Sequence, residues 1–423
     1  MKDSSVLRFA GDVQIKEAKL SSLNGNTVNI LNQISTIEIY EDLFSPFITA
    51  SIVLRESQDF LNSIPFIGEE YVTLNIDTPS LEKPISGRFY IYKITDREYS
   101  KERETVYTIK CISEEYVTDV NTKISRAVAG NISESARTLF GKDGLNTKKN
   151  VVVEKTSNVT KFIANFWNPS KCLSQLTTSA TNLNNSPTYL FFENRDGFNF
   201  RTIEELTKAT THQYFIKDNY VRTTESSNSV RSVRDIGEDY KRIVDISIPV
   251  VTDYMKDIET GRLKSRIISH DILTKKYTVK DFSLKKETKK PHLLNDYPAY
   301  SKYAVGNNAS SMTVMPKYFS NFNNYSDVTN HKTVQRRISF FQNLEKFKIN
   351  IQVPGRTDYT VGQVVDVTIP KAAQIVSNDT STKDEMLSGR YLISAISHTI
   401  SKDSHACHME LIKNSVIRDL SKG

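Results

Sequence analysis

Apolar and polar residues alternate with a period of two through much of the chain, the pattern that sends successive side chains to opposite faces of a strand. In Ile48-Thr49-Ala50-Ser51-Ile52-Val53-Leu54 the residues 48, 50, 52 and 54 are apolar. Val72, Leu74 and Ile76 alternate with Thr73, Asn75 and Asp77 in the same way. Phe89 to Thr95 and Thr105 to Ser113 follow, joined by a charged turn from Asp96 to Arg103. Such a series predicts a small antiparallel barrel or sandwich over residues 1–118.

From about Asp119 the period lengthens. Asn131 stands as an N-cap with Glu134 three residues on, and Ile132, Ala136, Leu139 and Phe140 form a helical stripe that stops at Gly141. Pro169-Ser170 opens a second helix, with Leu173, Leu176, Ala180 and Leu183 expected on one side. Asp196-Gly197 between the aromatic runs Tyr189–Phe192 and Phe198–Phe200 signals a hairpin. Residues 119–235 therefore read as a separate α/β module.

Strands return in Ile243–Ile248, where residues 244, 246 and 248 are apolar. A short helix near Val334–Leu344 leads into the period-two strand Phe347–Val353. Residues 236–284 and 331–415 read as a second barrel, and 416–423 as a C-terminal tail. The stretch 285–330 is polar and irregular, yet it carries seven aromatics: Tyr297, Tyr300, Tyr303, Tyr318, Phe319, Phe322 and Tyr325. That content predicts an inserted loop ordered against a partner.

The C-terminal strands echo the N-terminal ones. Ser86-Gly87-Arg88-Phe89 opens a strand that matches the one opened by Ser388-Gly389-Arg390-Tyr391. Gly68 precedes Tyr71–Ile76 as Gly362 precedes Val364–Ile369. The strand Phe47–Arg55 parallels Phe347–Val353, and Thr105–Ser113 parallels His405–Lys413. The glycines suit turns of positive φ ahead of each strand. A chain with two similar barrels can, as a trimer, present six similar domains in a ring and so join a sixfold object to a threefold one.

These features resemble the central baseplate hub protein of contractile-tailed bacteriophages. The residues that carry the resemblance are Ile39–Ala50, the paired Ser-Gly-Arg strands, the hairpin Phe191–Phe200, and Gly261-Arg262-Leu263 through His270-Asp271. The resemblance spans nearly the whole chain, most firmly residues 35–115 and 340–415. It implies a mainly β fold with α+β insertions: two tail-tube-like antiparallel β-barrels plus the α/β module. It further implies a homotrimer in the virion, between a tail tube protein above and a trimeric spike below. Other baseplate proteins would surround it, and DNA would touch it only in transit. Because the chain ends soon after the second repeat, the spike is expected to be a separate chain. The hub portion of a type VI or extracellular contractile injection system, and a spike-associated peptidoglycan hydrolase, stay open as alternatives.

Composition narrows this picture. The chain has 423 residues with 56 Lys plus Arg against 49 Asp plus Glu, a net charge of +7. Lys275, Lys276, Lys280, Lys285, Lys286, Lys289 and Lys290, against Asp281 and Glu287, supply most of that excess. No base-reading motif accompanies them, so a solvated or protein-facing surface is expected. Tyr297, Tyr300, Tyr303, Tyr318, Phe319, Lys285, Lys286, Lys289 and Lys290 are the candidate interface residues. No apolar run reaches the ~18 residues of a membrane helix, and residues 1–7 carry no signal-peptide core. Assembly in the host cytoplasm without membrane insertion is the expectation.

Cys111, Cys172 and Cys407 are too scattered for a disulfide framework and read as buried thiols. There is no Gly-x-Ser-x-Gly, His-Glu-x-x-His or phosphate-binding glycine loop, so no enzyme, catalytic residue or cofactor is expected. Glu41 and Asp42 read as solvated beside a turn. His398, His405, Cys407 and His408 are the one metal-like cluster, but His408 falls on the opposite strand face. No metal is assigned, and His398 and His405 read as strand-end residues flanking the turn Lys402-Asp403-Ser404.

Overall fold

The structure, a computed structural model, describes residues 7–22, 24–57, 68–99, 104–217, 236–250, 253–271, 275–288, 293–300, 311–316, 330–371 and 383–420. It is mainly β. No helix among these residues is long and apolar enough to cross a membrane.

The first unit comprises β1 (Gln14–Ser21), β2 (Thr27–Asn29), β3 (Ile34–Asp42), β4 (Thr49–Glu56), β5 (Tyr71–Asp77), β6 (Ile85–Tyr99) and β7 (Thr105–Ser113). They lie in the order β3-β4-β7-β6-β5-β1-β2. The alternating residues meet inside: Ile37, Ile52, Leu54, Val72, Ile76, Tyr107 and Ile109 are fully buried in one core. β6 runs four residues past Thr95, so Asp96–Tyr99 belong to the strand and not to the turn their charges suggested.

A middle layer follows, with α1 (Glu114–Asn121), β8 (Ile124–Asn131), α2 (Ile132–Phe140), β9 (Val151–Val153), β10 (Val159–Trp167), α3 (Pro169–Ser179), β11 (Tyr189–Asn194), β12 (Gly197–Thr202) and α4 (Ile203–Thr207). Asn131 caps α2, its side chain accepting from the Ser133 N–H. Leu173 and Leu176 of α3 are buried, but the helix stops at Ser179 and Leu183 is exposed in the turn beyond. The hairpin forms with Asn194 opposite Gly197, which makes Arg195-Asp196 its two-residue turn. Gly197, at φ 126°, lets the next strand leave it.

The second unit holds β13 (Thr211–Ile216), α5 (Ile236–Asp239), β14 (Asp245–Val250), α6 (Tyr254–Glu259), β15 (Lys264–Asp271), β16 (Lys276–Ser283), α7 (Leu284–Glu287), β17 (Tyr297–Pro298), β18 (Ser311–Pro316) and α8 (Asn330–Leu344). It ends with β19 (Phe347–Pro354), β20 (Val364–Thr368), β21 (Gly389–Ser401), β22 (His405–Lys413) and β23 (Ser415–Val416). β14, β19, β22 and β21 follow one another, with β20 on the far side of β21. The segment 285–330 is more than a loop. Its β18 joins β15 in parallel, its β17 pairs with β23, and Tyr300 packs on Leu263, Phe282 and Leu284.

The order β3-β4-β7-β6-β5 in the first unit is thus repeated as β14-β19-β22-β21-β20 in the second. The match extends to an irregularity. The ladder between β6 and β7 shifts between Ile91 and Lys93, and that between β21 and β22 shifts between Ile393 and Ala395. Tyr92 and Ser394, the bulged residues, occupy the same place in the two aligned strands. Strand pairing also corrects the glycine alignment by one residue. Phe89 faces Val72 and Tyr391 faces Val365, so Val72 corresponds to Val365 even though Gly68 and Gly362 precede them by different spacings. Gly389 does have positive φ, but Gly87 lies inside β6 opposite Leu74 and needs none.

Candidate functional site

The two units are parts of one 13-stranded sheet, joined at a seam between β21 and β3. β21 uses one edge twice. Residues 389–392 pair with β20, and Ala395 to Ser401 pair antiparallel with Asp42 to Thr36 of β3. At the bulge, Ser394 presents its carbonyl to the Leu43 N–H at 2.9 Å.

Buried polar groups lock this seam. The Glu41 carboxylate, sealed from solvent, accepts from the Thr360 hydroxyl and from the Val361 N–H at 3.2 Å. Burial pushes its pKa up to about 7, although these donors favour the charged form. Glu41 is therefore an interior group and not the solvated one expected beside its turn. Thr78 and Thr357 are joined reciprocally: the Thr357 N–H donates to Thr78 Oγ1 at 3.0 Å, and the Thr78 N–H to Thr357 Oγ1 at 3.4 Å. The β11–β12 turn wedges in from the middle layer, where Arg195 Nη1 donates to the Thr357 carbonyl at 2.6 Å. Buried Glu193 accepts from the Ile48 N–H at 2.9 Å and pairs with Lys149 at 2.5 Å, tying that layer to the first unit.

His398 and His405 meet Cys407 on one face, because β21 sets His398 opposite Cys407; His405 opens β22 beside the turn while His398 lies inside β21, and both histidines are buried. His398 Nδ1 lies 3.0 Å from His405 Nε2, and the Cys407 sulfur is 3.3 and 3.5 Å from these nitrogens. That spacing is close to what metal bonds of roughly 2.0–2.3 Å impose on neighbouring ligands. Yet only these three ligands converge among the described residues. His398 Nε2 and His405 Nδ1 have no hydrogen-bond partner, whereas a metal-bound imidazole is usually held by one. The trio is best described as neutral packing. Burial holds the His398 pKa down at about 4 and lowers that of His405 as well.

Of the candidate interface residues, Lys285 and Lys286 are exposed on α7. Tyr297 pairs with Val416, and Tyr300 is half-buried. Tyr303, Tyr318, Phe319, Lys289 and Lys290 lie outside the described residues. Beside α7, the sheet of β15, β16 and β18 exposes Tyr277, Val279, Met312 and Val314 on one face. A groove of about 470 Å³ crosses β3, β21, β22, β19 and β14. Asp42, Asp245 and Glu410 line it, with no Lys or Arg.

Two solved tail-protein structures share this fold along nearly their whole length. The tail protein of Neisseria meningitidis MC58 superposes with a TM-score of 0.52 at 12% identity, covering 96% of this chain and 97% of that one. The 43 kDa tail protein of prophage MuSo2 from Shewanella oneidensis gives 0.52 at 10%, covering 94% and 99%. In sequence, the chain is similar to "Probable baseplate hub protein gp334" of Vibrio phage KVP40, 19% identical over 412 residues and covering 92% of each protein. No family model matches the chain. The resemblance to phage baseplate hubs thus has a relative of that description along nearly its full length and two tail-protein folds, one of them from a prophage, beside it.

Proposed function

We propose that this protein is a structural hub of a contractile phage baseplate. In this reading it is a homotrimer whose six β units ring a channel between the sixfold tail tube and a threefold spike. The observation that carries it is the repeat, five strands and a bulge reproduced in one chain and joined by a continuous ladder. A threefold assembly of such chains is also quasi-sixfold, which is what an adaptor between those symmetries requires. The buried cluster of Glu41, His398, His405 and Cys407 is sealed from solvent and so offers no accessible catalytic group, which favours a role played by surfaces. The groove across the sheet is lined by Asp42, Asp245 and Glu410, of which Glu410 pairs with Lys348 at 2.9 Å; the carboxylate excess suits a wall past which DNA slides without being held. The full chain should run at three times its 48.1 kDa in light scattering. A protein that stays monomeric even with tube and spike subunits present would end this reading. Tight, steeply salt-dependent DNA binding by the trimer would end the channel part of it.

A further inference from the structure

The two units differ at one edge, and the intrachain seam supplies a template for it. β21 is long enough to take β20 on one half of an edge and β3 on the other half. β6 is just as extended. Its residues 85–90 take β5, but among the described residues no strand lies along the same side of residues 93–99. The counterpart of β3 is β14, and β14 ends the ladder with its outer edge unpaired among the described residues. Unpaired edges of this kind are templates for another strand.

We propose that β14 of one copy pairs antiparallel with the far half of β6 in a second copy, repeating between chains the seam that β3 and β21 make within one. This inference rests on the trimer reading and adds to it the strands and their register.

The register follows from partners already paired. Through β7 and β22, Thr95, Glu98 and Tyr99 correspond to Ser397, Thr399 and Ile400. Through β4 and β19, Val250, Ser247 and Ile246 correspond to Tyr40, Glu38 and Ile37. Within the chain Ser397 faces Tyr40, Thr399 faces Glu38 and Ile400 faces Ile37. Between chains Thr95 should then face Val250, Glu98 should face Ser247, and Tyr99 should face Ile246.

A second observation supports this register independently. β6 has two residues, Asp96 and Arg97, where β21 has His398 alone. β14 also has two, Ile248 and Pro249, where β3 has Ile39 alone. Each edge carries one extra residue at the same rung, so the two insertions fall opposite each other and the register stays continuous. At that rung Pro249 has no N–H to give, and Asp96 at φ 57° turns out of the extended form. Neither irregularity would therefore disturb an otherwise regular partner. The pairing would also place Tyr99, 74% exposed, against the apolar Ile246. Three such contacts, alternating with three intrachain seams, join six units.

Glu98 and Ser247 are both exposed and can be replaced by cysteine without touching a core. Antiparallel partners sit roughly 4.5–5.5 Å apart at Cα, within the range of a disulfide. In one chain these residues lie on strands separated by most of the ladder, so an E98C–S247C bond must join two copies. The oxidised full-length double variant should run as a covalent trimer on a non-reducing denaturing gel. Its yield should exceed that of E98C with D245C, two residues out of register, by about tenfold or more. A trimer by mass that fails to cross-link, or cross-links equally in both pairs, overturns the strand pairing and leaves the trimer standing. A chain that is not a trimer by mass overturns both. Should the double variant misfold, hydrogen exchange on the wild type decides. The 94–99 amides and those of Ile246, Ser247, Ile248 and Val250 should slow together by about tenfold or more on assembly, and unprotected amides in a wild-type trimer would overturn the pairing.

Discussion

The two β units share strand order and a bulge, yet they fill their interiors with different chemistry. Tyr107 in the first unit and Cys407 in the second hold the same place in β7 and β22. Tyr107 packs among the aliphatic Ile52, Leu54 and Ile109, with its hydroxyl donating to buried Glu56 at 3.4 Å. Around Cys407 the space of a phenol ring is taken by two imidazoles, His398 and His405. At the far end of β22, Lys413 is buried with its ammonium donating to the Met386 and Ser388 carbonyls at 2.7 and 2.9 Å. Topology, once its alternation is set, thus tolerates very different interiors provided volume and polar partners are met. The difference also gives the second unit pH-sensitive groups of its own, His398 and Lys413, beside Glu41 of the first unit at the seam.

The largest effect should come where the units are most alike. Ile52 and Ile351 are equivalent, both buried, and both face a β-branched partner, Ile37 and Ile246. I52A and I351A should each cost about 2–5 kcal/mol in chemical denaturation. If one of the pair were nearly silent, the equivalence of the two cores would be broken.

A smaller effect should separate the units by pH. Glu41 has a raised folded pKa, so its contribution is full in acid and is lost as pH rises from 4.5 through about 7. His398 has a depressed one, so its contribution is full above 6.5 and is lost as pH falls through about 4. The two oppose each other between 4.5 and 6.5. E41Q keeps the acceptor for Thr360 and Val361 but cannot ionise. Its stability relative to wild type should therefore grow between pH 5 and pH 8, on the order of 1.4 kcal/mol per unit of pKa difference. In the E41Q background melting temperature should fall steadily from pH 6.5 to 4, and adding H398L should flatten that fall. A steep acid loss that survives H398L would assign the sensitivity elsewhere.

Lys413 gives a gentler slope. Burial holds its pKa down at about 7, so its contribution is full above 10.5 and is lost as pH falls toward 7. K413M should remove that slope, measured as melting temperature between pH 7 and 10. The smallest effect belongs to the exposed pair Arg266–Asp281, 2.6 Å apart on β15 and β16, where R266A should leave the melting temperature unchanged.

Much of this fold is written in local pattern. The strands of both repeats, the Asn131 cap and the Pro169 helix start are period and capping signals, and each lies where the sequence puts it. The extension of β6 was hidden because Asp96-Arg97-Glu98 resemble a turn; a charged, unpartnered edge strand and a turn have the same composition. The seam was hidden for a different reason. Glu41 meets Thr360 and Val361, more than three hundred positions away, and nothing local in either segment signals the other. The His398–Cys407 meeting could have been found from the hairpin register, which pairs them directly across the turn at 402–404.

Two equivalent units per chain should alternate around a closed threefold ring. The most direct test is the mass and image of the purified full chain. The expected result is a particle of three chains, each 48.1 kDa, with six similar lobes around a central hole. A compact dimer, or an open chain of subunits that never closes, would contradict it.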